Sequence, residues 1–348
     1  MNEFAETNHA EISRRLFFGR SGLGLGTAAL AGLLQRDGVL AAAPGTESTG
    51  AVLSDAQTHA RPKARRVIYL CQSGGPAQMD LFDYKPRMRQ MFNVDLPASV
   101  IGKQRLTTMT SGQKRFPVAP SAFEFRRHGS SGAWLSELMP HTAGIADRVC
   151  FVKSMYTEAI NHDPAITFLQ TGSERSGRPS MGAWLSYGLG SLNEDLPSFV
   201  VMTSATKNDG QPLYNRLWGS GFLPSEYQGV RLRGVGAPVP YLDDPPGVSR
   251  STRRRIINDV AKLDRLSAGV LGDAQVQERI ARYELASGMQ SSVPEIVDTK
   301  DEPAQTWKLY GEAAKQRGSY ASQCLLARRL LEKGVRFVQL FHRGNGIA

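Results

Sequence analysis

Four short apolar runs, each bounded by turn-forming residues, set the frame of the chain: Val67-Ile68-Tyr69-Leu70-Cys71, Val149 to Val152, Ser198 to Met202 and Val335 to Phe341. A continuous apolar run leaves no side to face water, so each is expected to be a strand covered on both faces. The first stops at Ser73-Gly74-Gly75-Pro76, which cannot continue as helix. Helical spacing of apolar residues over Trp134 to Ile145 predicts a helix leading into the second strand. A second helix is predicted from Tyr320 to Lys333, with Leu325, Leu326, Leu330 and Leu331 on one side and Gly334 to stop it before the last strand. Strands separated by helical patterns predict an α/β fold, a mostly parallel sheet with helices on both faces. Residues 204–250 carry Gly, Pro and Asn in loop proportions and are expected to form an insertion over the sheet edge. Two weakly amphipathic polar helices, 251–267 and 272–288, should follow.

The N-terminus has a different character. Arg14 and Arg15 open an apolar stretch, Gly22 to Leu34, that ends in the small-residue patch Ala41-Ala42-Ala43. That order is the one a twin-arginine signal needs, with the translocase as partner and the periplasm or cell exterior as destination. Gly residues and the polar Gln35-Arg36-Asp37 leave the stretch short of the roughly 20 apolar residues that span a bilayer. Residues 1–43 therefore read as a signal peptide, 44–62 as a flexible leader and 63–348 as one folded domain, with no membrane span in the mature part.

The basic and acidic residues of the signal balance, so the mature part keeps the formal charge of +10. A surplus of that size can draw anionic esters, acidic polysaccharide or cell-surface polymers, or be no more than a generally solvated basic surface. The arginines are scattered and no nucleic-acid motif accompanies them, so nucleic acid is not an expected partner. Cys71, Cys150 and Cys324 are odd in number and lack C-x-x-C spacing, which argues against a disulfide framework or a structural zinc site. Cys71 and Cys150, in strand-like runs, are expected to be buried.

Ligands of open parallel sheets bind beyond the carboxyl ends of the strands. The loop after the first strand offers Ser73, Gly74, Gly75, Gln78, Asp80 and Asp83; the second offers Glu158, Asn161, His162 and Asp163; the last offers His342. Asp163 before Pro164 is equally a helix cap, and Asp80 and Asp83 are equally turn residues. His162 beside Asn161 and Asp163 on a strand-exit loop suits a metal or anion site. Gly74-Gly75 does not make a phosphate loop, since neither G-x-G-x-x-G nor a following Gly-Lys-Ser/Thr is present.

Four phrases carry a resemblance: VIYLCQSGGPAQMDLFDYKP at 67–86, SMYTEAINHDPAITFLQTG at 154–172, RPSMGAWLSYGLG at 178–190 and VRFVQLFHRG at 335–344. They resemble the bacterial family called domain of unknown function 1501, whose members are usually twin-arginine exported and often labelled sulfatase-like. The resemblance implies an alkaline-phosphatase-like fold and a metal-dependent hydrolase of sulfate or phosphate esters. It implies a divalent metal at the strand ends, with Asp80, Asn161, His162 and Asp163 as its ligands and His162 as the catalytic group. Where sulfatases carry C/S-x-P-S-R-x-x-L-x-T-G, this chain reads His162-Asp163-Pro164-Ala165-Ile166-Thr167-Phe168-Leu169-Gln170-Thr171-Gly172. The helix frame matches, but a His stands at the nucleophile's place and Ile166 at the arginine's, so His162 is expected to bind metal, carry a proton or attack directly. Family members continue past the segment like His342-Arg343-Gly344 with a Trp-Asp-x-His phrase, whereas this chain reads Asn345-Gly346-Ile347-Ala348. An incomplete C-terminus, and with it an incomplete metal site and an inactive chain, is the resulting expectation. The alternative is an exported, non-catalytic basic protein that binds acidic polysaccharide or the cell surface.

Overall fold

The computed structural model describes residues 63–72, 74–103, 105–107, 110–204, 213–239, 247–271 and 274–342. The stretch read as a signal, with Arg14 and Arg15, the stretch 44–62 read as a leader, Ser73 and the segment 343–348 lie outside the described residues. The chain divides into two units, Met1–Arg65 and Arg66–Ala348, and the elements below belong to the second.

Its centre is a parallel sheet of four strands, β1 (Val67–Gln72), β4 (Phe199–Thr203), β5 (Val230–Leu232) and β6 (Phe337–His342), in the order β1-β6-β4-β5. β2 (Phe125–His128) and β3 (Ala133–Ser136) form a separate antiparallel hairpin. The apolar runs at 198–202 and 335–341 become the two inner strands, and every residue of β4 is buried. A mixed α/β architecture with a mostly parallel sheet is thus what the chain adopts.

Helices cover both faces. On one, α10 (Tyr320–Glu332) and the end of α8 (Ala274–Val297) pack Leu330, Ala327, Met289, Val293 and Ile296 against Val200, Met202, Val338 and Leu340. On the other, α5 (His162–Thr171) and α6 (Met181–Leu189) set Ile166, Met181 and Leu185 against Cys71, Phe199, Val201, Phe337 and Phe341. Gly182 of α6 is needed for this approach: a Cβ there would stand 2.4 Å from the Phe199 ring. The remaining helices, α1 (Gln78–Leu81), α2 (Arg87–Gln90), α3 (Ala98–Ile101), α4 (Pro140–Ala143), α7 (Arg250–Leu271) and α9 (Ala304–Tyr310), lie in the connections. Among the described residues no helix is long and apolar enough to cross a membrane.

Several expectations are corrected. Residues 149–152 form no strand, and Val152 and Cys150 are exposed. Trp134 to Ile145 is not one helix: its first part is β3 and only Pro140–Ala143 is helical. β1 is an edge strand and, among the described residues, is covered on the α5 side alone, with Ile68 and Leu70 exposed on the other. The 204–250 segment is not all loop, since Val230–Leu232 adds the fourth strand at the far edge. The two polar helices are longer than expected, and α8 runs through Pro294.

Candidate functional site

A cavity of about 460 Å³ opens at the carboxyl end of β1, between Gly74-Gly75, the segment 155–157 and the first two turns of α5. That volume lies within the usual range of small-molecule sites. The positive φ of Gly74 (95°) and Gly75 (57°) turns the chain away from the strand at once, which leaves the strand exit open. The His162 ring lies over this turn, so that a Cβ on Gly75 would stand 3.6 Å from Nδ1.

The start of α5 is fixed locally. Asn161, in extended backbone, accepts a hydrogen bond from the His162 N–H through Oδ1 at 3.2 Å and is the N-cap. The helix therefore begins at His162, and Asp163 sits inside its first turn rather than capping it. Gly172, with φ 70°, ends it. Residues His162, Ala165, Ile166 and Leu169 recur at three and four and line the cavity together.

Arg216 is the residue that sequence reasoning missed. It sits in the 3₁₀ turn Asn215–Leu217, inside the stretch read as loop. It forms a close ion pair with Asp163, donates from Nε to Thr167 Oγ1 at 3.1 Å, and stacks over the Tyr214 ring at 4.1 Å. Thr167 in turn donates to the Asp163 carbonyl at 2.7 Å. One guanidinium thus ties two turns of α5 to the 213–218 segment. The only sequence signal was Tyr214-Asn215-Arg216, an aromatic–arginine pair in a stretch without periodicity.

Of the expected site residues, Asn161, His162 and Asp163 come together at the cavity; Asp80, on α1, is not among the residues lining it. Asp83 is paired with Lys85 at 3.0 Å. His342 ends β6 on the opposite sheet face, with Nδ1 3.4 Å from Ser204 Oγ and its ring 4.5 Å from that of Tyr320. Cys71 lines the cavity as a buried thiol, which burial pushes up although a hydrogen bond with Tyr69 partly counters it. A thiol held protonated in this way is a wall rather than a nucleophile. Burial, and then Cys71, push the Tyr69 phenol up as well.

Among the described residues no three His, Cys, Asp or Glu side chains stand close enough together to hold a metal ion. At the cavity the Asn161 oxygen serves its own helix and the Asp163 carboxylate serves Arg216, which leaves the His162 ring. A resident metal would have to displace the arginine or draw ligands from beyond this set.

No curated protein and no solved structure matches the chain significantly. The family described as "Protein of unknown function (DUF1501)" matches residues 64–345, from just before β1 to beyond the end of β6. A match over that span covers every strand that builds the sheet and every residue that lines the cavity, and the chain belongs to the DUF1501 family.

Proposed function

We propose that this chain is an exported ester hydrolase, sulfatase-like in its reaction, in which His162 moves a proton for a sulfate or phosphate ester held in the cavity. The observation that carries the reading is the placement of the His162 ring over the Gly74-Gly75 turn, at the mouth of a formed cavity and at a parallel strand's carboxyl end. Imidazole is the side chain best suited to take and return a proton near neutral pH. Water attacks sulfur or phosphorus and gives its proton to the ring; the bond to the ester oxygen breaks; the ring returns the proton to that oxygen. The products are the alcohol and inorganic sulfate or phosphate. Arg216, held by Asp163, keeps the helix start in place while this happens. The paired Arg14 and Arg15 support export, and periplasmic or extracellular residence, through the twin-arginine translocase.

The test is hydrolysis of nitrophenyl sulfate and nitrophenyl phosphate by the exported fraction of cells producing the full chain, with and without chelator. Turnover should fall by about 10²- to 10⁴-fold in His162→Gln, and Arg14→Lys with Arg15→Lys should leave the activity in the cytoplasm. Turnover untouched by His162→Gln sinks the role given to this residue. Turnover abolished by chelator brings a divalent metal into the site.

A second reading, an acidic-polysaccharide or cell-surface binder, has its own observation. Tyr227, Tyr187, Trp184 and Phe222 form a row with ring centroids 5.2, 6.1 and 5.7 Å apart, and Trp184, Tyr187 and Phe222 are exposed. Exposed rings suit stacking on sugar, those of Trp184 and Tyr187 with a polar atom besides, and the +10 charge suits an acidic chain. Binding to acidic polysaccharide that survives both chelator and His162→Gln, without turnover, favours it.

A further inference from the structure

The cavity changes character along its length. Along α5 its lining runs from Asn161 and His162 at the helix start to Ile166, Phe168 and Leu169 one and two turns on, and Leu213 is among the other residues that line it. Eight helical residues from His162 to Leu169 rise roughly 10 Å, so a polar end and an apolar end are separated by the length of a short hydrocarbon chain. The carboxylate nearest the polar end, Asp163, is neutralised by Arg216 and does not repel an anion there. Along the apolar part, the described lining residues offer no row of donors and acceptors for the hydroxyls of a sugar ring, which would go unpaired beside them.

We infer that the ester taken by this site is amphiphilic, with its anionic head at His162 and an unbranched alkyl tail along the Ile166–Leu169 side of α5, and that sugar esters are not its substrates. This rests on the reading of the cavity as an ester site and adds the identity of the organic part. Burial of the tail is worth most of the affinity, because each methylene moved from water to an apolar wall contributes and the head stays near solvent.

Titration calorimetry of the purified chain with ethyl, butyl, hexyl and octyl sulfate, and with a glucose sulfate, tests it. Affinity should rise about two- to fourfold per methylene, with an increasingly negative heat-capacity change, and glucose sulfate should give no heat beside octyl sulfate. Leu169→Asn and Phe168→Asn, both at half-exposed positions where the fold loses little, should flatten the rise. His162→Gln should leave the rise intact. A flat series in the parent chain overturns the inference. So does a rise abolished by Trp184→Ser, since the tails would then be adsorbing to the aromatic row. The hydrolase reading fails separately: a steep series with no turnover of any ester removes catalysis and keeps the tail site, whereas turnover with a flat series keeps catalysis and removes the tail site.

Discussion

Arg216 holds the start of α5 through an ion pair, a hydroxyl and an aromatic face at once. A lysine keeps the charge but has neither the fork to reach Asp163 and Thr167 together nor the flat face to stack on Tyr214. Asp163 is about half exposed, so solvent screens the pair and its charge energy is modest. Arg216→Lys and Arg216→Ala should therefore both cost about 1 kcal/mol in urea unfolding, while both lower kcat of any ester hydrolysis far more than they change KM. Equal stability loss with unchanged kcat would mean that the helix start does not need this clamp to place His162. At this scale the sequence was half legible. Asp-Pro is a good helix opening, but Asn161 two residues earlier takes the extended backbone and accepts the His162 N–H. Arg216 could not be found because its partners lie 49 and 53 positions away, across a stretch with no periodicity.

Among the elements, the end of α8 and the last turns of α10 are joined through Arg329, whose charge is met by one buried carboxylate. Glu302, with its side chain 4% exposed, receives Arg328 at 2.6 Å and Arg329 at 2.5 Å. Arg329 also donates to the carbonyls of Ile296, Glu295 and Asp298, and so caps α8. Burial alone would raise the Glu302 carboxyl, but the hydrogen bonds and charges of the two arginines outweigh it and hold it below its ordinary 4.5. A carboxyl lowered in the folded state contributes stability that is present above its unfolded pKa and is lost as pH falls through the folded one. Glu302→Gln should cost about 3 kcal/mol near neutral pH, because it leaves the part-buried Arg329 guanidinium without its carboxylate and Arg328 with only the exposed Glu332. The gap between the two chains should narrow as pH falls below the ordinary 4.5; unfolding midpoints followed from pH 7 down through that range measure it, and a gap that does not narrow refutes the linkage. The long helices here were legible from polarity and spacing, whereas the β2–β3 hairpin was not. Trp134 and Phe125 clasp Tyr84 at 4.7 and 4.9 Å, and Asp147 accepts the amides of Ser130 and Ser131 at the turn. Those partners, distant in sequence, override a spacing that reads as helix. The apolar run at 149–152 found no ladder to join, since apolar character licenses a strand without supplying its neighbour.

For the whole molecule, the sheet order makes two residues that sit side by side behave oppositely. Leu70 of β1 and Leu340 of β6 are register partners and face the same side, yet Leu340 is fully buried under α10 and Leu70 is 56% exposed. The apolar character of the two runs was visible in the sequence, but which strand lies inside and which at the edge follows from pairing alone. Both looked like strands covered on two faces; only β6, flanked by β1 and β4, is. Leu340→Ala removes packing from both Val338's cluster and the α10 helix and should cost about 2 to 5 kcal/mol. Leu70→Ala removes atoms already in water and should stay within about 0.5 kcal/mol. If Leu70→Ala proves as costly as Leu340→Ala, the exposed side of β1 is covered in solution by a further part of the chain or by a second copy, and the affinity of the purified protein for itself, measured by sedimentation across concentration, separates those two causes. If it is neutral, the edge is bare by design, and the arginines just ahead of it, Arg65 and Arg66, supply the charge that keeps such an edge from pairing with another chain.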